Sequence, residues 1–452
     1  MEAAPVRTPT RTVDVGTLID ERPMSGLQWL VFGVCALVAF LDGADSQSIG
    51  VAAPLIARGF GMTMGNFTPA FSAGLLGATI GALTFGDLGD RFGRKRMLVA
   101  AVLLLSVFTL LTAYATSFTG LMVIRFLGGL GLGGATPCFI TLCAEYAPKW
   151  RRAMLASVLW AAYPLGASVG GLVNATVIPV LGWQAVFLIG GGLPLLVAVA
   201  LVVLVPESLG YLVLRGTPAA MDQARRIARR LDPSLLGADL DLVAVREAKG
   251  SSTGVRSLFM DGRGMGTLLL WLMMFTAFGT TTVIVLLSPT LFRSSGLDLS
   301  TAALLVGLNN FVGVAGMASA GRLVERFGPL VLVPAFLLGA ATLSVMGMVA
   351  SSPWLAALCM AVLGVTVLLG ASGGIALAAT SYPTSMRSTG VGWAMGMARL
   401  GQVCSPLIVG VMLRAEWATP AILGAMAALP VLAGTFVLVR TLVGRQAALA
   451  PA

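Results

Sequence analysis

The sequence lacks histidine altogether, and charged residues make up only 11% of its 452 residues. Soluble domains carry about 25% charged residues. The absence of imidazole excludes histidine-based metal sites and catalytic triads, and it removes the usual switch at physiological pH. No metal, no cofactor and no enzymatic nucleophile–base set is predicted. Any proton that this chain handles must therefore bind a carboxylate, or else a Tyr or Cys.

Long apolar segments dominate what is present, because 57% of the residues are hydrophobic. Runs of about 20 apolar residues, each enough to cross the hydrocarbon core of a bilayer, recur along nearly the whole chain. The predicted fold class is an all-α polytopic membrane protein with twelve transmembrane helices. Helices 1 to 12 are predicted at 27–57, 66–87, 96–115, 119–146, 153–178, 183–205, 264–292, 301–323, 329–350, 354–380, 388–413 and 417–443.

Basic residues concentrate in alternate loops. They follow helices 2, 4 and 6 and close the chain: Arg91, Arg94, Lys95, Arg96, Lys149, Arg151, Arg152, Arg225, Arg226, Arg229, Arg230, Arg440 and Arg445. The loops of the opposite side, which follow helices 1, 3, 5, 7, 9 and 11, hold only Arg58, Arg293 and Arg414. The positive-inside rule then predicts cytoplasmic termini and a cytoplasmic central loop, in a cell inner membrane. The net charge of +10 is thus a topology signal, and we expect a monomer in lipid without a nucleic-acid partner.

An internal repeat divides the chain. The segment GDLGDRFG at 86–93 recurs as GRLVERFG at 321–328, a shift of 235 residues. The sequence therefore predicts two pseudo-symmetric six-helix bundles, 27–205 and 264–443, of the same orientation. A tail (1–26), a cytoplasmic linker with an amphipathic basic helix (206–263) and a second tail (444–452) complete the chain. Parallel repeats with a substrate site between them are typical of secondary transporters.

Three motifs carry a resemblance to a known family. GDLGDRFGRK at 86–95 and R-x-x-x-G-x-G-x-G at 125–133 resemble the two signatures of the major facilitator superfamily. Within it, LDGAD at 41–45 resembles the helix 1 motif of the aromatic acid:proton symporter family, and Arg125, Glu145 and Arg399 stand where that family has charged residues. The chain departs from the family at Ala44, where a large aromatic side chain is usual, so the pocket there is expected to be enlarged or reshaped.

The resemblance implies the major facilitator fold and a proton-coupled symporter working by alternating access. Its substrate would be a small organic anion, of the benzoate or hydroxybenzoate type. The alternative is a proton-driven drug or metabolite antiporter of the same fold, since Pro164, Gly166, Gly170 and Gly171 partly match the antiporter glycine motif. Paired intramembrane arginines favour an anionic substrate.

Two carboxylates stand three residues apart inside helix 1, at Asp42 and Asp45, about 60° apart around the helix. Each ionised carboxylate costs about 2.5–3.5 kcal/mol at the centre of a membrane helix. Either an arginine across the bundle or a mobile proton must compensate them. We interpret Asp42 and Asp45 as proton-coupling residues, with Glu145 as a further relay. The alternative is that one of them only holds the bundle together.

The predicted substrate site contains the two arginines that fall near mid-membrane, Arg125 and Arg399. Guanidinium groups bind carboxylates through a planar fork. An alternative role for Arg125 is to neutralise the aspartates. The other predicted pocket residues are polar or aromatic side chains at similar depth: Tyr163, Asn309, Asn310, Gln402, Trp160, Phe278 and Trp393. For Trp160, Phe278 and Trp393, packing in the core or against lipid is the competing interpretation, and for Tyr163 it is ordinary helix packing.

A cytoplasmic gate is predicted around the repeated loop motif. Gly86, Asp90, Arg91 and Arg94 are interpreted as a latch that holds the halves together when the cavity opens outward. Asp90 would interact with the positively polarised start of an inner helix. The rest of the predicted gate consists of charged residues: Arg151 with Glu145, and Glu325, Arg326 and Arg387 in the second half.

Overall fold

A computed structural model describes residues 10–21, 23–235, 239–243, 255–260, 262–382 and 386–449. Eleven of its helices are long and apolar enough to cross a membrane within these residues. One of them, Lys149–Leu204, contains 56 residues and is interrupted at Gly182, whose φ of 79° is not helical. This interruption divides it into two spans. The prediction of twelve transmembrane helices is thereby confirmed.

The elements follow the predicted order, with a small strand pair added. They are β1 (Thr10–Asp14), α1 (Val15–Asp20), α2 (Gly26–Gly59), α3 (Met64–Phe67), α4 (Pro69–Phe92), α5 (Arg94–Thr112), α6 (Phe118–Tyr146), α7 (Lys149–Leu204), α8 (Leu209–Arg215), α9 (Pro218–Leu231), β2 (Asp239–Val243), α10 (Gly264–Thr282), α11 (Ser288–Ser294), α12 (Leu299–Phe327), α13 (Leu332–Val349), α14 (Pro353–Ser381), α15 (Arg387–Arg414), α16 (Thr419–Met426) and α17 (Ala428–Leu449). A π-helical turn, Val283–Leu287, joins α10 to α11 in one span.

We call the two ends of the helix bundle the linker side and the far side. The linker side carries the described residues of the linker and the start of α2, and the far side carries the ends of α2 and α11. Hydrogen bonds between the halves lie on the far side: Ser72 Oγ donates to the Val403 carbonyl at 2.8 Å, and Ser300 Oγ to the Ala175 carbonyl at 2.8 Å. Arg414 Nη1 donates to the Gly65 carbonyl at 2.9 Å.

Hydrophobic clusters show the same asymmetry. A far-side cluster joins α2 residues such as Ile56 to Leu287 and other residues of the second half. On the linker side, one cluster contains only residues of the first half, the tail and the linker. The other contains only the second half and Leu258. The described contacts therefore join the halves at the far side and leave them less connected on the linker side.

The tail and the linker form a small layer beneath the first half. β1 pairs in parallel with β2, with Thr10 opposite Asp239 and Asp14 opposite Val243. Leu240 is fully buried, together with the apolar face of the basic helix α9. This strand pair was not predicted, because each strand is only five residues long and its partner lies more than 200 residues away in the sequence.

An ion pair fixes the tail to the first half. Asp20 accepts a hydrogen bond of 2.8 Å from the Lys149 backbone at the start of α7 and lies 3.0 Å from Lys149 Nζ. Partial burial raises the pKa of Asp20, but the hydrogen bonds and charge of Lys149 outweigh it and leave that pKa below its usual value. A carboxylate at a helix start is also favoured by the helix dipole.

Glycines allow α4 and α6 to pack backbone against backbone. A Cβ on Gly133 would overlap the Ala78 carbonyl, and one on Gly129 would overlap the Gly74 carbonyl. Small residues at such contacts are the usual means by which membrane helices approach closely. The glycines of the 125–133 motif are thus explained by packing.

Replacing Gly133 with Ala is expected to destabilise the protein by about 1–3 kcal/mol, because the methyl group must displace α4. The matched control is Gly392→Ala, since a Cβ at this helical glycine meets nothing within 4 Å. That control should be neutral or stabilising by up to about 1 kcal/mol. Thermal unfolding of the two purified variants tests this, and equal midpoints would contradict the packing role.

Candidate functional site

Asp45 points into the first half, where side chains of other helices surround its carboxylate. Its Oδ2 lies 3.9 Å from Arg125 Nη1 on α6, and its Oδ1 accepts a hydrogen bond of 3.1 Å from the Thr109 hydroxyl on α5. Gly190, on the second span of α7, leaves room beside Oδ1, since a Cβ there would lie 3.8 Å from it. Asp45 is 1% exposed and Arg125 9%. The Asp45 charge is thus compensated within one half.

Asp42 has different surroundings. It is 2% exposed, and its Oδ1 has no hydrogen-bond partner in the part of the chain that the structure describes. The charges that act on it are those of Asp45 and of Arg399 on α15, in the other half. An isolated buried charge is costly and is relieved by a counter-ion or a proton. Asp42 therefore depends on a charge that belongs to the opposite half.

Tyr163 joins this group from the first span of α7. Ser46 lies near its side chain, and Asp42 and Arg399 both act on it electrostatically. It is nevertheless 36% exposed. Because its neighbours are interior groups of both halves, we assign this exposed surface to the space between the halves.

Arg399 also contacts the predicted neighbour on its own helix. Its Nη1 donates to Gln402 Oε1 at 3.2 Å. The structure thus brings together four predicted site residues, Asp42, Tyr163, Arg399 and Gln402, at the boundary between the halves. Arg125 belongs instead to the neighbouring Asp45 group.

Close packing of α2 on α7 sets the position of both aspartates. A Cβ on Gly43 would overlap the Tyr163 carbonyl, and one on Gly166 would overlap the Phe40 carbonyl. A Cβ on Gly170 would lie 2.8 Å from the Ala44 Cα. Two of the glycines that partly match an antiporter motif, Gly166 and Gly170, are therefore explained by this contact. Ala44 packs against α7, so its small size permits helix contact, and the expected reshaping of the pocket stays a prediction.

The two predicted asparagines make contacts within their own half. Asn309 Nδ2 donates to the Met360 carbonyl on α14 at 2.9 Å, and Asn310 Nδ2 donates to the Val306 carbonyl of α12 at 3.0 Å. Both are at most 4% exposed. These bonds stabilise α12 and its packing on α14, and a role in substrate binding stays a prediction.

The predicted aromatic residues are spread over three places. Trp393 stacks on Trp271, with ring centroids 5.6 Å apart, and Trp271 meets the linker residue Phe259 edge-on. Phe278 is partly buried against the linker-side cluster of the second half. Trp160 is 43% exposed. For Trp393 and Phe278, the structure supplies the packing partners that the competing interpretation requires.

The predicted latch residues lie within the first half. Arg94 forms an ion pair with Asp90, and its Nε lies 3.4 Å from Glu145 Oε1. The Arg91 carbonyl accepts a hydrogen bond of 3.3 Å from the Tyr211 hydroxyl. These contacts connect α4, α5 and α6 with the start of the linker. The latch, predicted for a state in which the cavity opens outward, stays a prediction.

The other predicted gate residues are dispersed. The Arg151 guanidinium stacks over the Trp150 ring at 4.3 Å, whereas Glu145 contacts Arg94. Arg326 lies over the Phe327 ring at 5.3 Å, and Glu325 is exposed. Gly86 packs near Pro137, and the Arg387 side chain lies outside the described residues.

Three functional contacts involve residues that the sequence analysis missed. The Thr109 hydroxyl donates to Asp45, Ser46 lies near the Tyr163 side chain, and Glu207 Oε1 accepts a hydrogen bond of 2.8 Å from the Lys95 backbone at the start of α5. A usable signal existed for Thr109, because it and Ser106 are the polar residues in the apolar run 98–111. Glu207 is recognisable as the carboxylate that directly follows the sixth helix.

Comparisons with known proteins agree with this architecture. A model of the Major Facilitator Superfamily matches residues 35–329 and 269–451. The 4-hydroxybenzoate transporter PcaK of Acinetobacter baylyi is 34% identical over 96% of both chains, and a gallate transporter of Pseudomonas putida is 33% identical over 89% of both. An inward-facing, unoccupied structure of a bacterial homologue of the lysosomal transporter Spinster covers 95% of this chain and 100% of its own, with a TM-score of 0.73 at 16% identity. At that identity it shows the fold alone.

Arg125→Gln is expected to destabilise the protein by about 3–5 kcal/mol, because Asp45 is left as an uncompensated buried charge. Adding Asp45→Asn should restore most of this stability, since both charges are then removed. The measurement is thermal unfolding of the single and double variants in detergent. Asp45→Asn combined with Arg399→Gln is the control and should give no such recovery. If the double variant Arg125→Gln/Asp45→Asn loses the sum of the stabilities lost in the two single variants, Arg125 does not compensate the Asp45 charge.

Proposed function

The chain belongs to the major facilitator superfamily, and we propose that it is a proton-coupled symporter that imports an aromatic carboxylate. The observation that carries the proposal is the unequal treatment of two adjacent buried carboxylates. Each aspartate has one buried oxygen without a hydrogen-bond partner, but Asp45 has Arg125 and Thr109 of its own half beside it. Among the described residues, the Asp42 side chain has no hydrogen bond or ion pair, and its counter-charge comes from Arg399 across the boundary. We therefore assign the transported proton to Asp42.

Charge balance gives a route to coupling. With both aspartates ionised, Asp42, Asp45, Arg125 and Arg399 sum to zero. A proton on Asp42 leaves one excess positive charge near Arg399, and a substrate carboxylate can balance it. Because an unbalanced charge is expensive in the membrane interior, proton and anion are expected to bind together. The same logic disfavours a cationic substrate.

The proposed substrate class rests on two observations. Arg399 offers a guanidinium fork suited to a carboxylate, and Tyr163 exposes part of an aromatic side chain with a hydroxyl beside it. The curated relatives are named as transporters of 4-hydroxybenzoate and gallate, both hydroxylated aromatic acids. We propose that Tyr163 binds the ring or its hydroxyl group, and that Arg399 binds the carboxylate.

The transport cycle is proposed to be alternating access in an inner membrane, with both termini in the cytoplasm. In this orientation the far side faces outward and the linker side faces the cytoplasm. The hydrogen bonds between the halves on the far side and the separate linker-side clusters fit a state open toward the cytoplasm. Rocking of the halves around the central site would then expose it outward.

Asp42→Asn tests the proton assignment, because asparagine resembles a permanently protonated carboxylate. One proton moving down a gradient of about one pH unit can drive about tenfold accumulation, since 1.4 kcal/mol corresponds to a factor of ten. The variant should lose this accumulation in proteoliposomes but still exchange labelled for unlabelled 4-hydroxybenzoate.

The companion variant Asp45→Asn should not show that separation, because it disturbs the Arg125 contact and lowers both activities together. Gradient-driven accumulation by Asp42→Asn would remove Asp42 from the coupling step. If Asp45→Asn alone loses accumulation but keeps exchange, the transported proton would be assigned to Asp45.

Arg399→Ala should reduce uptake of 4-hydroxybenzoate about 100-fold, from the loss of about 3 kcal/mol of binding to a buried anion. Arg399→Lys should also be impaired, because a point charge cannot replace the guanidinium fork. Initial uptake rates in cells, normalised to protein in the membrane, provide the measurement. Arg226→Ala, at an exposed arginine of α9, is the control. Normal uptake by both Arg399 variants would exclude Arg399 from the site.

A further inference from the structure

The far side carries very few basic residues, and one of them has an obvious structural use. Of the three arginines in the far-side loops, Arg414 donates to the Gly65 carbonyl and so links the halves. The side chains of Arg58 and Arg293 form no hydrogen bond or ion pair with any described residue. Two arginines that stand against the charge bias of their side, and whose guanidinium groups have no partner among the described residues, require another explanation.

Arg58 and Arg293 occupy equivalent positions in the two halves. Arg58 lies in the last turn of α2, and Arg293 lies in the last turn of α11. Their numbers differ by 235, which is the shift that relates the repeated motif of the two halves. Both line one cavity at the far-side end, together with Gly296, Leu297, Asp298 and Leu299. The cavity therefore has one guanidinium group from each half.

The lining of this cavity favours an anion with an apolar part. Its one acidic lining residue, Asp298, accepts hydrogen bonds from the Thr301 backbone at 2.9 Å and the Thr301 hydroxyl at 2.6 Å. These bonds hold the pKa of Asp298 below its usual value, so it stays ionised at neutral pH. Two arginines and one carboxylate leave a net charge of +1, and Leu297 and Leu299 supply apolar surface.

We propose that Arg58 and Arg293 form an anion-capture site at the far-side mouth, which binds the carboxylate of an aromatic acid before it reaches the central site. The inference rests on the proposed function. A carboxylate between the two guanidinium groups relieves their mutual repulsion while the far side is closed. Because each arginine belongs to a different half, opening of the far side separates them and releases the anion toward Arg399.

A capture site of this kind acts on the rate of association. Positive potential at a mouth raises the local concentration of an anionic substrate, and the effect weakens with ionic strength. Loss of the site should therefore raise KM and leave kcat nearly unchanged. A purely structural role for the arginines would instead reduce the amount of folded protein or lower kcat.

The test compares wild type with the double variant Arg58→Gln/Arg293→Gln by uptake of labelled 4-hydroxybenzoate in intact cells. We expect KM to rise about tenfold, with kcat within about twofold, and the dependence of KM on salt to become weaker. Arg226→Gln/Arg230→Gln removes the same charge from exposed positions of α9 on the linker side and should leave KM unchanged.

A lipid phosphate could occupy the same arginines, so the measurement is repeated in proteoliposomes. The KM increase should appear both in phosphatidylcholine alone and in mixtures with phosphatidylglycerol. An increase confined to vesicles with phosphatidylglycerol would identify a lipid headgroup as the ligand and overturn the proposal. If the wild type takes up the acid normally and the variant has the same KM and the same salt dependence, the capture site is overturned and the proposed function stands. Absence of wild-type uptake of aromatic acids would instead overturn the proposed function.

Discussion

The cost of two buried carboxylates in α2 is the constraint on which the site depends. A membrane interior accepts an ionised carboxylate only beside a compensating charge. Arg125 provides this charge for Asp45 within the same half, and Arg399 provides it for Asp42 from the other half. The positions of α5, α6 and α15 around α2 are therefore tied to the charges of two side chains. This constraint also limits which ligands can enter, because each arriving charge must be balanced.

The compensation works only because the helices approach closely. Gly43, Gly166 and Gly170 let α2 and α7 meet at their backbones, which places Tyr163 beside Asp42. Ala44 belongs to the same contact, since it packs against Gly170. A departure from a family pattern near a binding motif can therefore have a role in helix packing. The small side chains and the charged ones are parts of one arrangement.

Much of the fold follows from the sequence, since apolar length and the 235-residue repeat fix the number and pairing of the spans. The carboxylates and Arg399 were also recognisable, because charges in apolar helices are rare. Side-chain direction was not recognisable: Asp42 and Asp45 lie 60° apart on one helix, yet their partners belong to different halves. Thr109 and the β1–β2 pair were missed for a related reason, as both depend on contacts between distant segments that carry weak local signals.

The direction of the two aspartates also decides which of them can respond to a conformational change. Arg125, Thr109 and Gly190 all belong to the first half, so the surroundings of Asp45 travel with it when the halves rock as proposed. The Asp42 environment includes Arg399 from the second half, so its counter-charge moves away or approaches in the same motion. A group can couple proton binding to conformation only if the two states treat its charge differently. By this criterion Asp42 is suited to carry the proton, and Asp45 to hold the first half together around it.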